Sequence, residues 1–156
     1  METVLSDSIL ILGIGNILLG DEGIGIHAVR SLEQTELPEQ VEVLDGGTGG
    51  FHLLSYFSSH SKVILIDATL DGRPPGTITL VRPKYASDFP QTLSAHEIGL
   101  KDLIESAALL DELPEVTLIA VSIQQLQGIS TELSPEVEST IPSIVNKVKE
   151  ILNGYS

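Results

Sequence analysis

Five residues of this chain combine reactive side chains with positions a fold could use. Asp21 and Glu22 follow the stretch Gly13-Ile14-Gly15-Asn16-Ile17-Leu18-Leu19-Gly20. Asp45 follows Val41–Leu44, Asp67 follows Val63–Ile66, and His96 lies in Ser94-Ala95-His96-Glu97. That last tetrad is a capping box, with Ser94 as N-cap and Glu97 at the third helical position. A helix N-terminus disfavours the imidazolium, so His96 is held toward the neutral ring that a metal requires. Glu22, Asp67 and His96 form a two-oxygen, one-nitrogen set that can hold a divalent ion such as zinc or nickel, with positions left open. They stand 45 and 29 residues apart, so only the fold can assemble them. Plainer readings stand beside this one: Asp21 as a helix cap, Asp67 as a turn former, His96 as a solvated first-turn histidine. His27, His52 and His60 fall in or just beyond helical stretches and read as packing or surface residues.

The elements that must position these groups alternate between short apolar runs and helical patterns, the mark of a sheet covered on both faces. Strands are predicted at Ser8–Leu12, Val41–Leu44, Val63–Ile66, Thr77–Val81 and Val116–Val121, the second and fourth alternating as edge strands do. Gly72-Arg73-Pro74-Pro75-Gly76 is too short for a crossover helix, so the third and fourth strands are expected to pair antiparallel in an otherwise parallel sheet. Helices are predicted after the glycine stretch (Ile24, Ala28 and Leu32 on one face), over Phe51–Phe57, from the capping box through Ala108, and from Ser134-Pro135 onward. The last presents Val137, Ile141, Ile144 or Val145, Val148 and Ile151, with Pro142 kinking or restarting it. Ligands of open α/β sheets bind at the carboxyl ends of the strands. Asp45, Asp67 and Ser122 are expected to close strands there, and Asp21-Glu22 to lie between the first strand and first helix.

Composition narrows the function. The chain has 156 residues, 22 Asp+Glu against 8 Lys+Arg, a formal net charge of −14 and no cysteine. One domain over residues 1–156 is expected at this length. Disulfides, thiolate metal sites and cysteine nucleophiles are excluded, and nucleic-acid binding is disfavoured because the few basic residues are scattered. The run Ile9–Leu12 is broken by Gly13 and Gly15, far short of the ~20 residues of a membrane span. It lacks the basic start of a secretory signal, so a cytoplasmic setting is expected. A dinucleotide-binding reading of Gly13-Ile14-Gly15 with Asp45 founders because the third fingerprint glycine falls on Leu18 and two carboxylates would repel pyrophosphate. A phosphoacceptor receiver would share the acid positions, but the fifth strand runs into Ser122-Ile123-Gln124-Gln125 without the required lysine.

Four blocks in register carry a resemblance that runs from about residue 8 to 152. Gly13 through Gly25, Leu44-Asp45-Gly46-Gly47-Thr48, Ile66-Asp67-Ala68 and Ser94-Ala95-His96-Glu97-Ile98-Gly99-Leu100 closely resemble the signatures of the hydrogenase maturation proteases. The resemblance implies an α/β/α sandwich, a five-stranded and mostly parallel sheet with one antiparallel strand. It implies an endopeptidase that removes a carboxy-terminal extension from the large-subunit precursor of nickel–iron hydrogenase once nickel is inserted. The family's metal-contacting trio maps onto Glu22, Asp67 and His96. Asp45 matches a further acid, for which an aspartic-type role activating water stays open. Gly46, Gly47 and Thr48 would hold the extended tail. The implied metal is the substrate's nickel, with no organic cofactor, no nucleic acid or membrane partner, and a monomeric enzyme. The reading from another class is a non-enzymatic metal-binding or chaperone module for hydrogenase assembly.

Overall fold

The computed structural model describes residues 8–48, 53–85, 88, 98–110, 113–125 and 128–155, with the side chains of 98–103 outside that description. Along the chain come β1 (Ile9–Gly13), a 3₁₀ turn (Gly20–Gly23), α1 (Ile24–Leu32), β2 (Val41–Asp45), α2 (Leu54–Ser59) and β3 (Lys62–Thr69). They are followed by β4 (Ile78–Val81), α3 (Ile98–Leu109), β5 (Glu115–Ser122), α4 (Pro135–Glu138) and α5 (Ile141–Gly154). The sheet order is β2-β1-β3-β5-β4, with every pairing parallel except β4 with β5.

The three central strands are apolar on both faces because both faces are covered. Alternation sends Leu10, Leu12, Val63, Leu65, Leu118 and Ala120 to one side, where they meet Leu53 and Phe57 near and on α2 and Ile104 and Ala107 of α3. Ile11, Ile64, Ile66, Ile119 and Val121 go to the other, against Ile24, Ala28, Val29 and Leu32 of α1 and Val137, Ile144, Val148 and Ile151 of α4 and α5. The result is a three-layer α/β/α sandwich. The two strands that alternate, β2 and β4, are its edges.

Two expectations need correction. The chain does turn at Gly72 and Gly76, both at positive φ (82° and 88°), and β4 is antiparallel, but β5 lies between it and β3. All eight residues of β5 register along all eight of β3, a longer apolar match than the four-residue β4 could make. The connection swings over the end of β5, where Ser122 donates to the Thr77 carbonyl (2.8 Å) and Gly76 donates to that of Ser122 (2.8 Å). Asp67 does not close β3 either, since the strand continues through Ala68 and Thr69. It is β1 that has ended, its Gly13 aligned with Ile66.

The helices follow their patterns closely. α1 buries Ile24, Ala28 and Leu32 completely. The carboxy-terminal pattern breaks after Glu138 and restarts at Ile141, with Pro142 in the first turn of α5, where its missing N–H is harmless. α2 begins at Leu54; Phe51 and His52 lie outside the described residues. No helix among the described residues is long and apolar enough to cross a membrane.

Candidate active site

The site is built by backbone packing around the first glycine block. Where β1 stops, Ile14 donates to the Ile66 carbonyl (3.0 Å) and Gly15 to that of Gly47 (2.8 Å), while Gly46 donates back to Gly13 (2.8 Å). The loop thus lies against both neighbouring strands. The 3₁₀ turn that carries Asp21 and Glu22 then packs against β3, and α1 starts so close to the sheet that a Cβ on Gly25 would overlap the carbonyl oxygens of Ile14 and Ile66. A Cβ on Gly15 would likewise overlap the Glu22 carbonyl. These two glycines let the acidic turn seat itself directly on the strand that carries Asp67.

Glu22 is 1% exposed and Asp67 0%. Burying carboxylates is costly unless partners or ligands compensate them, so their retention at one sheet end signals use. The Asp67 carboxylate accepts from the Ala68 N–H (2.8 Å). Its register partner in β5 is Ala120, and it shares a face with Leu65 on the side covered by α2 and α3. α3 begins at Ile98, two residues beyond His96. His96 itself lies outside the described residues, together with Ser94, Ala95 and Glu97. Among the described residues no three His, Cys, Asp or Glu side chains are grouped to hold a metal ion.

Asp21 has a different task from its neighbour. Its carboxylate accepts both the N–H (2.7 Å) and the hydroxyl (2.8 Å) of Ser134, the residue before α4. It caps neither the 3₁₀ turn nor α1, and instead ties the glycine loop to a segment 113 residues away. A second tie runs beside it: Leu19 and Ser130 form a parallel bridge, with Ser130 donating to Leu18 and Gly20 donating to Ser130, both at 2.8 Å. Nothing local in the sequence signals Ser130 or Ser134 as partners of this loop.

Asp45 ends β2 level with Gly13 but on the opposite face of the sheet from Asp67. It shares its face with Val41 and Val43, which pack in the α1 layer, and its carboxylate lies 3.9 Å from the Arg30 guanidinium of α1. Its other oxygen accepts from the Gly47 N–H (2.9 Å), closing a turn in which Gly47 takes φ 58° and Thr48 is exposed. The fold therefore seats the turn that carries Glu22 against β3 and sets Asp45 across the sheet from Asp67.

The remaining described histidines pack as expected. His60 stacks on Tyr56, donates its Nδ1–H to the Tyr56 carbonyl (2.7 Å), and lies 3.0 Å from the Glu42 carboxylate. His27 of α1 has a buried Nε2 with no hydrogen-bond partner; burial, aided by the Arg30 charge, lowers its pKa from the usual 6.5.

A parallel α/β/α sandwich with buried carboxylates seated at the carboxyl end of its sheet falls in the class of α/β enzymes that engage substrate at that end. Comparison with known proteins narrows the class. Residues 26–151 match the family model of hydrogenase maturation protease. The hydrogenase 2 maturation protease of Escherichia coli is 38% identical over 144 residues, which cover 90% of this chain and 87% of that one. The hydrogenase expression/formation protein HupD of Rhizobium leguminosarum is 33% identical over 94% of this chain and 75% of its own length. In structure, the hydrogenase maturating endopeptidase HybD from E. coli superposes with a TM-score of 0.86 at 36% identity, covering 96% of this chain and 94% of its own. The chain belongs to the hydrogenase maturation protease family, and it is an endopeptidase, a hydrolase of peptide bonds.

Proposed function

We propose that this endopeptidase removes the carboxy-terminal extension of a nickel–iron hydrogenase large-subunit precursor, and that it recognises the precursor through the nickel already inserted there. The observation that carries this reading is the seating of the Glu22 turn against β3, which places two solvent-excluded carboxylates at the same end of the sheet. Glu22 and Asp67 supply oxygen donors, and His96, two residues ahead of Ile98 in the sequence, supplies nitrogen. With no cysteine in the chain, the contact is oxygen and nitrogen alone, which suits transient inspection of an ion that the substrate owns. The precursor's nickel, once held, docks the cleavage site in the cleft.

Gly46, Gly47 and Thr48 offer backbone to the extended tail, and Asp45 shapes that turn through the Gly47 N–H. We assign Asp45 to positioning this strand of contact, because its carboxylate faces Arg30 across the sheet from Asp67. Water is the nucleophile, and the chain acts without an organic cofactor, as a monomer, in the compartment where the precursor is assembled.

The test is the mass of a nickel-loaded precursor before and after incubation with the enzyme. Loss of a carboxy-terminal peptide is the expected result. An unchanged mass with nickel gone from the precursor would mark a metal carrier instead.

A further inference from the structure

Leu18 is 54% exposed and Ile129 87% exposed. The two residues directly precede Leu19 and Ser130, the partners of the parallel bridge that joins their segments. Their positions are not accidents of loose loops. Asn16 accepts from the Leu18 N–H through its side chain (2.9 Å), the bridge contributes two backbone hydrogen bonds, and Asp21 clamps Ser134 a few residues on. A held apolar pair in solvent is an interaction surface in waiting, because rigid presentation lowers the ordering cost of association.

Charge identifies the partner. The segments that present this pair, residues 13–23 and 123–138, contain Asp21, Glu22, Glu132, Glu136 and Glu138 and neither lysine nor arginine. Glu132, Glu136 and Glu138 are exposed. Exposed apolar side chains on segments that carry acids and no bases are complementary to an apolar patch ringed by lysine and arginine. Leu18 also leads directly into the turn that carries Glu22, so this surface adjoins the acidic turn along the chain.

We propose that Leu18 and Ile129 form the docking anchor for the folded body of the metal-bearing precursor, through an apolar, basic-rimmed surface beside its metal. This inference rests on the function proposed above and adds to it a recognition element separate from the metal contact and from the tail. It predicts that affinity for the precursor depends on two residues that touch neither the ion nor the scissile bond.

The experiment compares Leu18→Ser, Ile129→Ser and the double variant with wild type, and uses Leu109→Ser as a control at an exposed leucine on α3. Kd for the nickel-loaded precursor is read by an immobilised-precursor binding assay, and KM and kcat by cleavage. Each single variant should weaken Kd and raise KM by about tenfold, with kcat within about twofold and Leu109→Ser unchanged. Added salt should weaken wild-type binding further. Wild-type Kd in the double variant, or binding indifferent to salt, would overturn the proposal. Should wild type bind the precursor without shortening it, proteolysis is refuted, and the Kd values alone decide for or against the anchor.

Discussion

The two ends of the parallel sheet handle charge in opposite ways. At the carboxyl end Asp21, Glu22 and Asp67 are all withdrawn from solvent, under a loop fastened by backbone hydrogen bonds to two strands. At the amino end a cavity of about 480 Å³ opens beside Ile9, Val41, Leu152 and Tyr155, and the charged side chain that lines it is Lys62. Lys62 stays half-buried, its ammonium 5.3 Å above the Tyr155 ring. Tyr155 lies 3.3 Å from Thr117 through its hydroxyl, and burial raises its pKa. Lysine can run its aliphatic stem along apolar surface and keep its head wet. A short carboxylate cannot, so an acid at the buried end must be compensated in place or serve a purpose. At this end Asp21 accepts two hydrogen bonds from Ser134 and Asp67 accepts one from the Ala68 N–H.

This contrast can be broken most decisively at the acids themselves. Glu22→Gln and Asp67→Asn keep shape but remove charge, and each should lower cleavage of the nickel-loaded precursor by at least about 100-fold while the variants melt within a few degrees of wild type. Asp45→Asn, across the sheet, should keep activity within about tenfold; a loss as deep as that of Glu22→Gln would restore Asp45 to a catalytic role.

A backbone change comes next. Gly25→Ala pushes a methyl into the Ile14 and Ile66 carbonyls, and chemical denaturation should register a loss of about 3 kcal/mol or more. Ser134→Ala removes one charge-assisted hydrogen bond to Asp21 and should cost about 1.5–3 kcal/mol, with kcat little changed at temperatures where the variant is folded. Those two outcomes would separate two adjacent acids, the Asp21 contact by its effect on stability and Glu22 by its effect on turnover.

The smallest effects belong away from the acids. Lys62→Met should change stability by less than about 1 kcal/mol and leave cleavage untouched. His27 supplies a pH test with a definite sign. Its folded pKa lies below 6.5, so as pH falls the unfolded chain takes up the proton first, and stability present above that value is lost as pH drops through the folded pKa. His27→Gln should therefore flatten the fall of Tm below about pH 6.5 by a degree or two.

Much of the architecture was readable along the chain. Runs such as Ile9–Leu12 and Val63–Ile66 announce strands buried on both faces, and the alternation of β2 and β4 announces edges, because a single strand records how many of its faces meet solvent. The spacing of Ile24, Ala28 and Leu32 did the same for α1. Pairing partners were less legible. The Gly72–Gly76 turn implied an antiparallel neighbour for β3, yet β5 takes that place, since the choice depends on which two strands match best in length and apolarity. That comparison is between segments about fifty residues apart.

The site divides along the same line. Residue types by themselves determined that an oxygen–nitrogen donor set without thiolate was available, and local pattern placed Glu22 between the first strand and the first helix. Their register blocks also carried the family. Only the tertiary structure decided that Asp21 belongs to Ser134, that Asp45 faces Arg30 on the opposite face of the sheet from Asp67, and that Leu19 bridges to Ser130. Local propensity and pattern are properties of neighbouring residues, whereas hydrogen bonds between Asp21 and Ser134, 113 positions apart, exist only once the sheet has set the distance between them.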